Sequence, residues 1–214
     1  MPVFLAIIIW IVVILLGAYG CFWILGQVGK YHSMGEPLLY FGYAGGYLAE
    51  ALCQLGPVTG VDPRKTPEIL NPNFMREWPW PRPLNYYGTS VCVSVLEHLP
   101  DLHNVDGLLA VTKPGGQVLI TIPCGPSAAQ FRGYRLWALK ELMEWPSLHA
   151  FTVFRREEGW WRTLGPEFLQ VKSEASYRVI VEHLPDSSEH QVNAVFCARL
   201  VKPDHLVAPS PTDG

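Results

Sequence analysis

The chain has 214 residues, of which 49% are hydrophobic, and this is enough apolar material for one sizeable core. Its 16 basic and 19 acidic residues give a formal net charge of -3 and form no basic cluster. Nucleic-acid-binding proteins usually carry a basic patch, so we expect no nucleic-acid partner.

The first element in chain order is an apolar segment from Val3 to Gly26, which spans 24 residues without a charged side chain. As a helix it would be about 36 Å long and could cross a hydrocarbon core of about 30 Å. A cleaved signal peptide would have a basic region before a shorter apolar core, and the segment has neither. The sequence therefore predicts one N-terminal transmembrane helix, with residues 1–29 as the anchor and residues 30–35 as a linker.

Positive residues near the anchor predict its orientation. Lys30, Arg64 and Lys65 follow the apolar segment, whereas only the amino terminus precedes it. The positive-inside rule then places the C-terminal domain of a single-pass membrane protein in the cytoplasm. A lipoprotein cleavage site at Ala18–Cys21 is a rival interpretation, but Tyr19 fits it poorly.

Strand and helix patterns alternate after the linker, which is typical of an α/β, Rossmann-like fold with a mostly parallel sheet covered by helices on both faces. Strands are predicted at residues 37–42, 57–62, 89–96, 117–123, 151–155, 177–182 and 193–201. Helices are predicted at residues 45–55, 104–112 and 135–145. Prolines prevent us from placing a regular element at residues 63–87, and we expect a disordered tail at residues 203–214.

The ends of three predicted strands are candidate binding positions, because ligands bind beyond the carboxyl ends of the strands in such sheets. Glycines at positions 42, 45 and 46 would let the first turn approach a ligand closely. Asp62 ends the second strand, where a carboxylate can accept hydrogen bonds from ribose hydroxyls, although it could equally cap a turn. Residues 94–98 form the third strand end.

Five cysteines are scattered along the chain, mostly within apolar runs: Cys21, Cys53, Cys92, Cys124 and Cys197. They form no CxxC pair and no cysteine–histidine spacing of a zinc site. Since free cysteine is among the most buried residue types, we expect reduced, buried thiols and no metal site.

Three motifs together resemble the class I S-adenosylmethionine-dependent methyltransferases, in particular the branch that acts on small molecules and lipids. They are LLYFGYAGGYLAE (38–50), VTGVD (58–62) and SVLEHLPDL…KPGGQVLITIP (94–123). The resemblance covers residues 36–202 and implies S-adenosylmethionine as the cofactor and an antiparallel last strand. It also implies a substrate lid near Phe131–Arg135, after the fifth strand.

The resemblance implies a set of cofactor-binding residues: Gly42, Tyr43, Ala44, Gly45, Gly46, Asp62, Ser94 and Val95. Two positions of the first motif depart from the family pattern. Tyr40 stands where an acid is usual, which removes one anchor for the cofactor. Ala44 stands where a glycine is usual, and its methyl group narrows the approach to the backbone.

His98 and Glu97 are the candidate catalytic residues. A hydroxyl or phenol acceptor needs a base near the end of the fourth strand, and an imidazole can take a proton near neutral pH. The alternative is that both side chains only brace the following segment. A metal site would need a third ligand, which the sequence does not show.

The sequence thus predicts a membrane-anchored methyltransferase that acts on a small or lipid-linked acceptor, with residues 3–26 in the membrane. Tethering would concentrate the enzyme near a bilayer substrate. Tyr40 and Ala44 favour a second interpretation, a catalytically inactive domain that serves as a membrane-tethered binding or scaffold module. A nicotinamide-dependent Rossmann enzyme fits less well, because the full GxGxxG pattern is absent.

Overall fold

The computed structural model describes residues 20–43, 46–62, 74–76, 84–99, 103–131, 133–158, 160–163, 180–187 and 191–204. The helices are α1 (residues 20–31), α2 (Gly46–Cys53), α3 (His103–Val111) and α4 (Leu139–Met143), with a 3-10 turn η1 at Leu96–His98. The strands are β1 (Leu38–Phe41), β2 (Val58–Val61), β3 (Phe74–Arg76), β4 (Tyr87–Val93), β5 (Thr112–Gly125), β6 (Ala129–Phe131), β7 (Tyr134–Ala138), β8 (Leu148–Glu157), β9 (Trp160–Thr163) and β10 (Ala194–Val201).

The main sheet has the strand order β3-β2-β1-β4-β5-β10-β8-β9 in the described part of the chain. Neighbouring strands from β3 to β5 are parallel, whereas β10 is antiparallel to both β5 and β8. Parallel neighbours need a crossover connection, and α2 and α3 supply two of these crossovers. The predicted mostly parallel, Rossmann-like sheet with an antiparallel last strand is confirmed.

Helices cover both faces of this sheet, because its central strands are apolar on both sides. On β1, Leu39 and Phe41 face the core formed with α3 and α4, while Leu38 and Tyr40 face the core formed with α1 and α2. All four side chains are buried. This is the burial expected of a central strand in a parallel sheet, and it fixes which face each side chain near the site can reach.

Helix α1 crosses the sheet from its carboxyl edge to its amino edge. At Gly20, the first described residue of α1, an added Cβ would lie 3.3 Å from Thr121 Cγ2, and Thr121 is paired with the end of β4. After the helix, His32 Nδ1 lies 3.0 Å from Thr89 Oγ1, near the start of β4. Ile24 and Val28 between them are fully buried on the sheet.

This packing corrects part of the membrane prediction. Residues 20–26 of the expected span belong to a helix that lies on the sheet, so the packed unit begins before residue 36. An apolar run cannot by its composition distinguish lipid from a protein core. Helix α1 buries Ile24 and Val28 against protein, whereas Phe22 is exposed. Across the described ranges, no helix is long and apolar enough to cross a membrane. Residues 3–19 lie outside those ranges.

Arg199 on β10 fixes the C-terminal end of α1. Its guanidinium lies 3.8 Å from the centroid of the Tyr31 ring, a cation–π contact. Arg199 Nε also donates to Gln117 Oε1 at 3.1 Å, and Arg199 Nη1 lies 3.1 Å from His149 Nδ1. These contacts satisfy a buried cation and hold α1 against the middle of the sheet.

Three secondary-structure predictions need correction. The helix expected at residues 135–145 is confined to α4, because Tyr134–Ala138 pairs with both β6 and β5 as a strand. Residues 180–182 are helical rather than part of a strand. Strand β3 at Phe74–Arg76 lies in the region where no element was placed. In the first case backbone pairing with neighbouring strands outweighs the local helical pattern.

Candidate active site at the carboxyl edge of the sheet

The ends of β1, β2 and β4 meet at Gly42. Its backbone N–H donates to Val61 O on β2 at 2.6 Å, and its φ of 75° lies in the left-handed region that favours glycine. A Cβ built on Gly42 would overlap Val95 Cγ2, just beyond β4. The close approach explains why glycine is required at this position. It also brings three of the predicted binding segments into one place.

The remainder of the glycine turn is placed only in part. Tyr43 is buried and joins the core under α1 and α2, so its side chain points into the protein. Gly46 is the first residue of α2. Ala44 and Gly45 lie outside the described residues, and the effect of the Ala44 methyl group remains a prediction.

Asp62 directly follows β2 and is 1% exposed. Gly42 binds the preceding residue, Val61, so Asp62 lies next to the turn at the end of β1. A carboxylate at this edge can accept two hydrogen bonds from the ribose hydroxyls of a nucleoside. The structure therefore brings Asp62 and the glycine turn together, as their predicted shared role requires.

Tyr40 is buried beneath α1 rather than exposed at the edge. Burial raises the pKa of its phenol well above its usual value, and Cys21, Cys92 and Asp62 add to the rise electrostatically. Its ring centroid lies 6.5 Å from that of Tyr43. The residue at this family position therefore carries no charge. Its ring is part of the apolar surface on which α1 packs. The sequence pattern did not indicate this packing role.

The segment after β4 turns sharply at Ser94, which has a φ of 51° although it is not glycine. Its N–H donates to Thr121 O on β5 at 3.0 Å, and its side chain is exposed. Non-glycine residues in this conformation are uncommon and often occur at functional sites. The turn directs Val95 back toward Gly42 and starts η1.

Glu97 in η1 is buried, and its Oε2 has no hydrogen-bond partner among the described residues. Burial raises the pKa of Glu97 to about 8, and a hydrogen bond from its own backbone N–H offsets only part of the rise. The side chain therefore carries a proton at neutral pH. Burial raises the pKa of the neighbouring Cys92 thiol, and the negative charge of ionised Glu97 adds to the rise.

His98 is exposed and is held by the turn between β6 and β7. Its Nδ1 lies 2.5 Å from Gly133 O, and a carbonyl oxygen can only accept a hydrogen bond. Nδ1 therefore carries the hydrogen, and the lone pair of the neutral ring is on Nε2. This tautomer leaves Nε2 as the atom that can take a proton from a ligand.

The hairpin of β6 and β7, described at residues 129–131 and 133–138, packs over η1 through β7. The sequence predicts a lid near this position but not a hairpin. Trp137 on β7 is buried next to Cys124 of β5, and its Nε1 has no hydrogen-bond partner among the described residues. The guanidinium of Arg135 lies 3.9 Å from the centroid of the Trp137 ring. The aromatic residues on either side of Gly133, namely Phe131, Tyr134 and Trp137, could have indicated this hairpin.

Metal binding has no support in the described ranges, where no group of three histidine, cysteine, aspartate or glutamate side chains is close enough to hold an ion. All five cysteines are free, and all but Cys21 are buried. The arrangement at the carboxyl edge therefore consists of a glycine turn, a buried aspartate, a buried glutamate and an exposed histidine.

Similar folds are found among solved structures at low sequence identity. The 1,6-didemethyltoxoflavin-N1-methyltransferase of Burkholderia thailandensis, solved with S-adenosylhomocysteine, is 14% identical, with 86% of this chain and 79% of that chain covered and a TM-score of 0.54. A candidate sarcosine dimethylglycine methyltransferase from Galdieria sulphuraria is also 14% identical, with coverages of 86% and 85% and a TM-score of 0.57. The [4+2]-cyclase SpnF is 15% identical, with coverages of 84% and 80% and a TM-score of 0.54.

Structural similarity at this identity shows only the fold, whereas a match to a family model identifies the family. No curated protein matches the sequence. A family model described as "Methyltransferase domain" matches residues 24–160, which are well over half of the chain. The match begins within α1 and includes the ends of β1, β2 and β4 as well as the hairpin of β6 and β7. The chain belongs to this methyltransferase-domain family.

Proposed function

We propose that the chain is an S-adenosylmethionine-dependent methyltransferase that is held at a membrane and acts on a small or lipid-linked acceptor. The observation that carries the proposal is the meeting of three strand ends at Gly42, which binds Val61 and touches Val95 beside the buried Asp62. Family membership supports the same reaction class.

The residues at this edge fit the cofactor in two respects. The turn after β1 exposes backbone near Gly42, where a side chain would clash, and Asp62 offers a carboxylate for the ribose hydroxyls. When bound, S-adenosylmethionine supplies a methyl group on a sulfonium that is transferred by in-line displacement. The protein contributes mainly by aligning the acceptor and excluding water.

His98 is the group that we assign to proton removal from a hydroxyl acceptor. Its Nδ1 is occupied by Gly133 O, so the ring is fixed and Nε2 is available. An imidazole whose other ring nitrogen donates a hydrogen bond to the protein keeps one tautomer and one orientation. The hairpin that holds His98 also covers η1, which helps to exclude water from the site.

Membrane attachment is proposed for the apolar residues before α1. Residues 3–19 contain no charge and number 17, which is at the short end of the range for a membrane-spanning helix, about 17 to 25 residues. They join the domain at Gly20, on the carboxyl edge of the sheet. Phe22, near the first described residue of α1, and Tyr47, in the first turn of α2, are 73% and 94% exposed. A bilayer near this edge would cover both aromatic rings and give a lipid-linked acceptor direct access.

The second candidate is a membrane-tethered binding module without catalytic activity. The buried, uncharged Tyr40 favours it, because the position usually occupied by an acid contributes no charge here. A fold of this kind does not by itself determine activity, as the solved neighbours include one described as a cyclase. Cofactor binding without methyl transfer would support this candidate.

The proposal is tested by incubating membranes that contain the full chain with S-adenosylmethionine labelled in its methyl group. Label recovered in the organic extract supports a lipid-linked acceptor, and label in small aqueous molecules contradicts the lipid part of the proposal. Membranes containing Asp62→Asn serve as the control. If neither extract exceeds this control, the methyltransferase proposal fails. Flotation of the full chain with liposomes, lost on deletion of residues 1–19, tests the anchor.

A further inference from the structure

Glu97 differs from the buried cations Arg199 and Lys202 in that one of its polar atoms has no hydrogen-bond partner among the described residues. Buried Arg199 and Lys202 both have hydrogen-bond partners: Lys202 Nζ donates to Asn85 Oδ1 at 2.6 Å, Thr112 O at 2.8 Å and Ala110 O at 3.0 Å. Glu97 Oε2 has none in the described part of the chain. An unsatisfied buried polar atom is costly, so a native protein retains one where something else binds it.

The position of Glu97 indicates that its missing partner is a molecule bound in the proposed active site. The side chain lies two residues after Val95, which touches the glycine turn, and one residue before His98, which is bound to the hairpin. Along the chain, Glu97 therefore lies between a residue that contacts the proposed cofactor turn and a residue that binds the hairpin. An acceptor bound between η1 and β7 would reach both Glu97 and the methyl donor.

No cation from the described residues is placed to neutralise this carboxyl group. Arg135 is the basic residue on the adjoining strand β7, and its guanidinium lies over the Trp137 ring and 3.6 Å from Glu141 Oε2 instead. Trp137 Nε1, a second buried polar atom without a hydrogen-bond partner, also belongs to β7. Among the described residues, the adjoining elements thus offer one carboxyl group and one N–H donor, and no described cation is paired with the carboxyl group.

We propose that the acceptor is an amine, whose nitrogen is bound by Glu97 Oε2 between η1 and β7. This inference rests on the proposed methyltransferase function and names its substrate class. Trp137 Nε1–H is the donor for an oxygen elsewhere on the same acceptor. A cationic amine would stabilise the ionised carboxylate by direct charge pairing, whereas an alcohol would leave the buried Glu97 carboxyl group protonated.

The transfer of the methyl group balances with Glu97 as the proton acceptor. Binding of the ammonium group displaces the Glu97 proton to solvent. In this complex the acceptor gives one of its own protons to the ionised Glu97 carboxylate, which frees the nitrogen lone pair. The nitrogen then forms a bond to the methyl carbon, and the carbon–sulfur bond breaks with its electron pair remaining on sulfur. The products are a methylammonium group, a neutral thioether and a protonated Glu97. Total charge is unchanged, and no further reactant is required.

The test compares ethanolamine with ethylene glycol, in which a hydroxyl replaces the amino group on the same skeleton. The full chain in detergent is labelled with 13C at the glutamate carboxyl carbons. The carboxyl chemical shifts are measured by NMR as a function of pH, once with ethanolamine and once with ethylene glycol in the sample. Glu97 is assigned by the resonance that disappears in Glu97→Gln. We expect ethanolamine to lower the pKa of Glu97 by about one to three units, because a nearby cation favours the ionised form. Ethylene glycol should leave it unchanged.

Two results would overturn the inference: no shift with ethanolamine, or an equal shift with ethylene glycol. Glu144→Gln is the matched control, because it makes the same chemical change at an exposed glutamate and should retain the ethanolamine shift. Binding of S-adenosylmethionine is measured on the same sample. If the cofactor fails to bind while ethanolamine still shifts Glu97, the proposed function fails and the amine site stands. If the cofactor binds but ethanolamine does not shift the pKa of Glu97, the amine site is overturned and the proposed function stands.

Discussion

Gly42 and Val95 are in such close contact that any side chain at Gly42 would overlap Val95 Cγ2. Gly42 follows β1 and Val95 follows β4, and they are separated by 53 positions in the sequence. Their contact joins the proposed cofactor turn to the segment that carries Glu97 and His98. A change at either residue should therefore affect stability and cofactor binding together.

Gly42→Ala is expected to destabilise the fold and weaken cofactor binding. The new Cβ meets Val95 in a packed core, which typically costs about 1–3 kcal/mol, and the positive φ adds about 1–2 kcal/mol. Gly35→Ala is the matched control, since Gly35 has a φ of 82° and open space around it. Urea unfolding of both variants separates the clash from the backbone strain. Equal losses in the two variants would show that Gly42 does not contact Val95 as described.

Ile24→Ala tests whether α1 belongs to the folded domain. Ile24 is fully buried on the sheet, so its truncation should lower the free energy of unfolding by about 2–5 kcal/mol. Phe22→Ala, at a side chain that is 73% exposed, should change it by less than about 0.5 kcal/mol. Thermal unfolding of the detergent-solubilised chain measures both. A small effect at both positions would mean that α1 lies in the micelle instead of on the sheet.

Glu97→Gln is expected to change how stability depends on pH. The folded chain holds the Glu97 proton up to about pH 8, whereas the unfolded chain loses it near the ordinary carboxyl pKa of about 4.3. The folded state binds more protons in this window, so stability falls as pH rises from about 4.3 to 8. At about 1.4 kcal/mol per unit of pKa, the fall amounts to several kcal/mol. Glu97→Gln should remove it.

The free energy of unfolding at pH 5 and pH 8.5, compared between the unsubstituted chain and Glu97→Gln, provides this measurement. Glu144→Gln, at an exposed glutamate, should retain the fall with pH. If the unsubstituted chain and Glu97→Gln lose the same stability between the two pH values, Glu97 is not buried in the folded protein.

His98→Asn distinguishes two functions of His98: proton removal by Nε2, and the hydrogen bond from Nδ1 that holds the hairpin at Gly133. An asparagine amide can replace the Nδ1–H donor to Gly133 O but has no Nε2 lone pair. For a hydroxyl acceptor, we expect kcat to fall about 100-fold or more with unchanged cofactor affinity. His98→Ala, which loses both functions, should be no more active. Full activity of His98→Asn combined with an inactive His98→Ala would assign His98 a bracing role. An amine acceptor deprotonated by Glu97 would also leave His98→Asn active.

The parallel core of the fold could be predicted from the sequence because its strands are short apolar runs bounded by glycine or proline. The predicted strand at residues 57–62 contains β2, and the one at residues 117–123 lies within β5. The observed ends of β1 and β2 also place Gly42 and Asp62 where the motif required them. These features depend on local chemistry and on the rule for ligand binding at strand ends.

The features that escaped prediction depend on contacts between distant segments. Tyr134–Ala138 becomes β7 because β5 and β6 pair with it, although leucines at helical spacing follow directly in α4. Residues 20–26, which belong to α1, are part of the predicted membrane span because an all-apolar run does not show which surface will bury it. The burial of Glu97 depends on the hairpin that packs over η1, and nothing in its local sequence indicates this.

Calorimetric titration of the full chain with S-adenosylmethionine tests the central claim most directly. We predict saturable binding that weakens about tenfold or more in Asp62→Asn, because charge-assisted hydrogen bonds to the ribose are worth about 1.5–3 kcal/mol. Asp204→Asn, at an exposed aspartate, should bind like the unsubstituted chain. Absence of binding to the unsubstituted chain, or equal affinity in Asp62→Asn, would contradict the assignment of this edge as the cofactor site.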